Sequence, residues 1–137
     1  MSLPVLIVDD DAGVLFLHEL IVRESSFSKN ITTFNRAGKA LEYLEKQNGK
    51  ISDCLIILDI NMPEMDGWQF LENLDKSNQY DRVSVVMATS SVNRSDREKA
   101  TSYSRVIDYV EKPLDFEACE KVKKLEPVNK FYKDEKS

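Results

Sequence analysis

Residues 54–67 read CLIILDINMPEMDG. The first five, Cys54 to Leu58, form an apolar run with the length and β-branched content of a strand buried on both faces, and the run ends in one carboxylate, Asp59. Loop chemistry follows at once. Asn61 precedes Met62-Pro63, where proline fixes φ and biases the residue before it towards extended geometry, and Asp66-Gly67 opens a new periodic segment. A buried strand therefore delivers a single acid to its C-terminal end. In an open parallel sheet, ligands bind just beyond the carboxyl ends of the strands. An aspartate there also fits a plain Asx-turn, and this stretch alone leaves both roles open.

The same pattern recurs outward from it. Leu3 to Val8 is a second apolar run, ended by Asp9-Asp10-Asp11, and Ala12 to Arg23 then carries Val14, Leu17, Leu20 and Ile21 at helical spacing with Asp11 as N-cap. Asn30 to Phe34 reads as a short edge strand, and Gly38 to Gln47 as a helix that stops before Asn48-Gly49. After the central strand, Asp66 and Gln69 form a capping box for a helix over Gly67 to Lys76. Val83 to Ala88 is a buried strand ending at Thr89-Ser90-Ser91. Ser95 and Glu98 suggest another capping box for a loosely held helix from Asp96 to Tyr103. Val106 to Val110 is the fifth strand, followed by Glu111-Lys112-Pro113. Asp115 to Leu125 is an amphipathic helix stopped by Pro127, and the polar tail from Asn129 is expected to fray.

Five strands alternating with five helices give an α/β fold: a doubly wound, five-stranded parallel sheet, (βα)5 and flavodoxin-like. The least apolar strands, the second and fifth, belong at its edges, which yields the order 2-1-3-4-5. With 137 residues the chain is expected to form one domain over 1–137, its core at about 3–125 and a tail at 126–137.

Composition narrows the function. The net charge of −5 gives no general attraction to nucleic acid. No apolar run approaches the ~20 residues that cross a membrane, and a cytoplasmic location is expected. Cys54 and Cys119 lack metal-ligand spacing and read as reduced, inert thiols. Met62, Met65 and Met87 read as packing residues.

If the first and third strands are neighbours, Asp9, Asp10 and Asp59 meet at the switch point of the sheet. Three like charges there need either raised pKa values or a cation, and an all-oxygen, partly hydrated rim suits Mg²⁺. Thr89 adds a hydroxyl and Lys112 an ammonium from the next strand ends. Together they form a clamp for the oxygens of a transferring phosphoryl group.

Val8-Asp9-Asp10, the run from Leu58 through Pro63 to Asp66-Gly67, Ala88-Thr89-Ser90 and Tyr109-Val110-Glu111-Lys112-Pro113 keep an order and spacing that resemble the receiver domain of two-component response regulators. The resemblance spans about residues 3–125. It implies that Asp59 accepts a phosphoryl group from a sensor histidine kinase or a histidine phosphotransfer protein. It further implies that Asp10 and Asp59 ligate Mg²⁺ directly, that the Asn61 carbonyl completes the protein ligands and that Asp9 acts through water. Lys112 would pair with Asp59 and its phosphoryl oxygens. Thr89 would be the switch hydroxyl, with Tyr109 turning inward as it moves, and the readout would be a changed surface on helix four, strand five and helix five. Lys112-Pro113 matches a bond that is cis in the family. The implied partners are the phosphodonor and a downstream protein target, with no nucleic acid or membrane, and the implied state is a monomer or a phosphorylation-dependent dimer. On this view the protein is a switch rather than an enzyme.

His18, the sole histidine, reads as a surface or half-buried side chain, and Leu15 with His18 is expected on an exposed helix face that docks the phosphodonor. Two other readings stay open. Asp9-x-Asp11 suggests a phosphohydrolase with a first-strand nucleophile, although Gly13 stands where that motif has Thr or Val. A receiver-like interaction module without phosphate turnover is the other.

Overall fold

The computed structural model describes residues 2–47, 52–90 and 93–132. Five parallel strands, β1 (Val5–Val8), β2 (Ile31–Phe34), β3 (Cys54–Leu58), β4 (Val83–Thr89) and β5 (Val106–Glu111), lie in the order β2-β1-β3-β4-β5. Between and after them come α1 (Ala12–Glu24), α2 (Ala37–Glu45), α3 (Gly67–Asp75), α4 (Arg94–Ala100) and α5 (Phe116–Lys123). The expected fold and strand order are therefore observed. Both edge strands are partly exposed, whereas every residue of β1, β3 and β4 is buried. Central strands lose water on both faces, which is why they carry unbroken apolar runs.

Alternation of side chains along the strands splits the core in two. Leu6, Val8, Ile56, Leu58, Val85 and Met87 face α2, α3 and α4, with Phe70, Leu71 and Leu74 filling that side from α3. Val5, Ile7, Leu55, Ile57, Val86 and Ala88 face α1 and α5. Cys54 and Cys119 are buried free thiols, and burial pushes Cys54 up to about 12, so neither ionises at neutral pH. Met62 and Met87 are buried and Met65 packs against the first core, as packing residues should.

Caps explain most helix starts and one departure from expectation. Asp11 accepts from the amides of Gly13 and Val14, and Asp66 and Gln69 form the reciprocal capping box. Helix α4, however, begins two residues before the expected Asp96. Asn93 Oδ1 accepts from the Ser95 amide at 2.7 Å and the Ser95 hydroxyl at 2.6 Å, while Glu98 pairs with Arg94 instead of closing a box with Ser95. Only Ala100 of this helix is buried.

Two further expectations are corrected. In α1 the apolar residues do not all face inward: Phe16, Leu17 and Leu20 are exposed, and the inner stripe is made by Leu15, His18, Ile21 and Val22. Nor does the chain fray from Asn129. A short 3₁₀ helix, Val128–Phe131, buries Val128 and lays Phe131 and Tyr132 on the second core, and the Tyr132 hydroxyl donates to the Phe27 carbonyl. Phe27 and Tyr132 meet ring to ring at 5.4 Å, and Lys130 pairs with Asp53 at 2.8 Å. Apolar residues interleaved with the lysines supply this anchoring. The Asn48-Gly49 stop, Ser91 and residues 133–137 lie outside the described residues.

Candidate functional site

Parallel register brings Val8 beside Leu58, so the acids that follow these two strands emerge side by side at the carboxyl edge of the sheet. Asp9 and Asp59 are 2% and 3% exposed, while Asp10 opens to solvent. Carboxylate oxygens of Asp9, Asp10 and Asp59 lie within 4.8 Å of one another. Lys112, one residue beyond β5, reaches across with Nζ 3.0 Å from Asp9 Oδ2 and 3.3 Å from Asp59 Oδ2. Thr89, the buried last residue of β4, offers its hydroxyl to the Asp59 carboxylate.

These neighbours act on Asp59 in opposite senses. Burial, and then the charge of Asp9, raises its pKa above the ordinary aspartate value; Lys112 and the Thr89 hydroxyl pull it back without cancelling the rise. For Lys112, burial disfavours the ammonium, but its hydrogen bonds and charge pairing with Asp9 and Asp59 outweigh that and hold its pKa above the ordinary lysine value. Lys112 is therefore a fixed cation. Asp59 keeps one oxygen, Oδ1, buried and without a hydrogen-bond partner. Both Asp9 oxygens are committed, Oδ1 to the Asp11 amide at 2.9 Å and Oδ2 to Lys112.

An orphaned, buried carboxylate oxygen beside two more carboxylates is a hard-oxygen donor set with surplus negative charge. The residues present thus fit a divalent cation of the Mg²⁺ class. Asn61 is exposed at the start of the β3–α3 loop.

That loop is shaped by a residue whose part the sequence reading missed. Gly67 donates its amide to the Ile60 carbonyl at 2.8 Å, and a Cβ there would lie 2.6 Å from the Asp59 carbonyl oxygen and 2.9 Å from Ile60 Cα. Only glycine allows the helix to start this close to the acid. The Asp-Gly pair was the available signal. Glu64 takes φ of 71°, a left-handed turn within the same loop.

Around the site, Lys112-Pro113 is cis. Tyr109 is buried, with the Arg97 guanidinium 4.8 Å from its ring centroid, so a cation from α4 covers the aromatic of β5. Lys99 likewise stands 4.7 Å from the Trp68 ring, which stacks on Tyr103 at 6.0 Å. Charged residues thus attach the helix that apolar residues barely hold.

The structure does not place His18 on an exposed face. It is 1% exposed, and Nε2 accepts a 3.0 Å hydrogen bond from the Leu114 amide. Leu15 is half-buried against the second core. A helical phase offset of about one residue, roughly 100°, explains both: the stripe facing the core includes His18, which accepts from a backbone amide there, and Phe16, Leu17 and Leu20 face outward instead.

The receiver-domain profile, described as "Response regulator receiver domain", matches residues 5–123. Among solved structures, a response regulator receiver protein from Dyadobacter fermentans is 30% identical with a TM-score of 0.80, over 90% of this chain and 96% of that one. A two-component response regulator from Cytophaga hutchinsonii is 28% identical with a TM-score of 0.81, over 89% of this chain and 95% of that one. The two-component response regulator ARR2 of Arabidopsis thaliana is 31% identical over 88% of this chain, which spans 17% of that protein's length.

Proposed function

The chain belongs to the response regulator receiver domain family of two-component systems, and from that premise we propose that it is a phosphorylation switch whose phosphoacceptor is Asp59. The observation that supports this most is the state of the Asp59 carboxylate: one oxygen is drawn to Lys112, and the other is buried and unpartnered at the end of a rigid strand. Such a group is a nucleophile held in place.

In the proposed reaction an Asp59 oxygen attacks the phosphorus of a phosphohistidine on a sensor kinase or phosphotransfer protein. A P–O bond forms, the P–N bond breaks, and its electron pair returns to the donor imidazole. Lys112 supplies a fixed positive charge to the phosphoryl oxygens and Thr89 a hydroxyl donor. Asp59 and Asp10, with the Asn61 carbonyl, would hold Mg²⁺, and Asp9 would act through water. When bound, Mg²⁺ supplies further charge neutralisation for the transferring group. Asp9 is the weaker nucleophile candidate, because both its oxygens are already engaged; that disfavours a first-strand phosphohydrolase.

Movement of the Thr89 hydroxyl towards the phosphoryl group, coupled to Tyr109, would change the surface of α4, β5 and α5 read by a downstream protein. Self-catalysed phosphorylation and dephosphorylation would be slow, as befits a cytoplasmic switch rather than an enzyme. The donor protein docks, on this reading, against the exposed Phe16, Leu17 and Leu20 face of α1, the helix that follows Asp9-Asp10-Asp11 in the chain. No helix among the described residues is long and apolar enough to cross a membrane.

Intact-protein mass after incubation with acetyl phosphate tests the reading. A gain of one phosphoryl group in Mg²⁺, absent with chelator and absent in Asp59→Asn, is expected. No gain, together with no Mg²⁺-dependent beryllofluoride binding, would move the protein to a non-switching interaction module.

A further inference from the structure

His18 lies outside the constellation of acids, hydroxyl and lysine, yet it is fully buried and commits a ring nitrogen to one specific backbone amide. That amide belongs to Leu114, two residues beyond Lys112. The lysine's own amide donates to the Thr89 carbonyl at 2.9 Å. Pro113, between them, has no N–H. Lys112 and Pro113 thus sit between two anchored amides, one tied to the end of β4 and the other to α1.

We propose that His18 is a positioning residue for the phosphoryl-transfer reaction, acting through the Leu114 amide to hold the Lys112 ammonium between Asp9 and Asp59. The inference rests on the reading of Asp59 as phosphoacceptor and deepens it by naming what orients the cation. An amide N–H can only donate, so His18 Nε2 carries a lone pair and the ring is neutral with its proton on Nδ1. Burial, opposed by the charge of Asp9 and aided by that of Lys112, keeps the imidazole pKa below its ordinary value, consistent with a neutral acceptor. Leu114 itself is buried on the second core with Cys119 and Val122. Its N–H therefore has no water to turn to if the imidazole is removed, and the loop must shift to find another acceptor. A shift of that loop carries Lys112 with it, and charge stabilisation at a transferring group depends on placement to well under an ångström.

The test compares the parent, His18→Leu, His18→Gln and Lys112→Ala, with both His18 changes repeated on the Lys112→Ala background, by their rates of phosphorylation by acetyl phosphate in saturating Mg²⁺. His18→Leu fills the space and removes the acceptor, whereas His18→Gln places an amide oxygen near the former Nε2. His18→Leu is expected to slow phosphorylation about tenfold, the effect of one lost buried hydrogen bond, with His18→Gln recovering most of the rate. On the Lys112→Ala background the two His18 changes should make no further difference, since their route to the reaction has gone. A parent rate in His18→Leu, equal slowing by Leu and Gln, or the same slowing with Lys112 already absent would overturn the proposal. Amide hydrogen exchange at Leu114 in the parent adds a readout that does not depend on any variant folding: protection is expected, and rapid exchange would overturn it. A parent that neither gains phosphate nor binds beryllofluoride in Mg²⁺ would overturn the phosphoacceptor reading and this inference together, whereas a phosphorylated parent with unaffected His18 variants would overturn this inference alone.

Discussion

Asp59 is destabilised by its surroundings, and that has a measurable sign. Its folded pKa stands above the unfolded value of 3.8, so the native state holds its proton more tightly than the unfolded chain does. The contribution is fully present below pH 3.8 and is lost as pH rises through the folded value. Metal-free Asp59→Asn is therefore expected to be more stable than the parent at pH 7, with the gap closing towards pH 4. Urea unfolding in chelator across that range measures it, and a less stable variant at pH 7 would contradict the electrostatic picture. Gly67 sets the opposite case. Its absent Cβ leaves room for the backbone of Asp59 and Ile60, atoms that cannot swing aside. Gly67→Ala should cost about 1–3 kcal/mol and slow phosphorylation as well, because the strain falls on the acid itself. Unchanged stability would show that the loop gives freely. At this scale the acids and Thr89 were legible because they stand at the ends of apolar runs, and Lys112 because it follows directly on the fifth strand. His18 was not, since its hydrogen-bond donor lies 96 residues away in sequence and leaves no local pattern.

Among elements, α1 and α4 show where periodicity misleads. Helix α1 carries enough apolar residues to make two stripes, and spacing alone does not say which one meets the sheet. Among the described residues, the outward stripe of Phe16, Leu17 and Leu20 is exposed. Changing Phe16 and Leu20 together to alanine is expected to slow phosphotransfer from a phosphorylated donor protein about tenfold or more, as loss of interface anchors does, and to spare acetyl phosphate. Equal loss with both donors would place the effect in folding rather than docking. Helix α4 has the reverse problem, too few apolar residues to announce what holds it. Arg97 over Tyr109 and Lys99 over Trp68 supply the attachment. Arg97→Ala should weaken it by about 0.5–1 kcal/mol and raise amide exchange locally in α4. No local change would mean that the guanidinium contact contributes little. Its start was misplaced for a simpler reason: asparagine, serine and aspartate crowd residues 93–96, and the cap that wins is decided by geometry.

For the whole molecule, alternation of buried strands and amphipathic helices sufficed to give the sheet order, because right-handed crossovers and polar edge strands leave few alternatives. The C-terminal segment escaped that logic. It is short, mostly polar and outside the strand-helix rhythm, yet Val128, Phe131 and Tyr132 cover the second core beside Phe27. Removing residues from Val128 onward should cost about 2–4 kcal/mol, the scale of deleting buried side chains, and thermal unfolding would register it; an unchanged transition would contradict that anchoring. The central claim, however, concerns one covalent bond. Borohydride reduces an acyl phosphate of aspartate to homoserine, so reduction of the phosphorylated protein followed by peptide sequencing by mass spectrometry reads the site directly. The account requires homoserine at position 59 alone, formed only when Mg²⁺ is present during phosphorylation. Homoserine at position 9 or 10, or none in a protein that has gained phosphate, would contradict it.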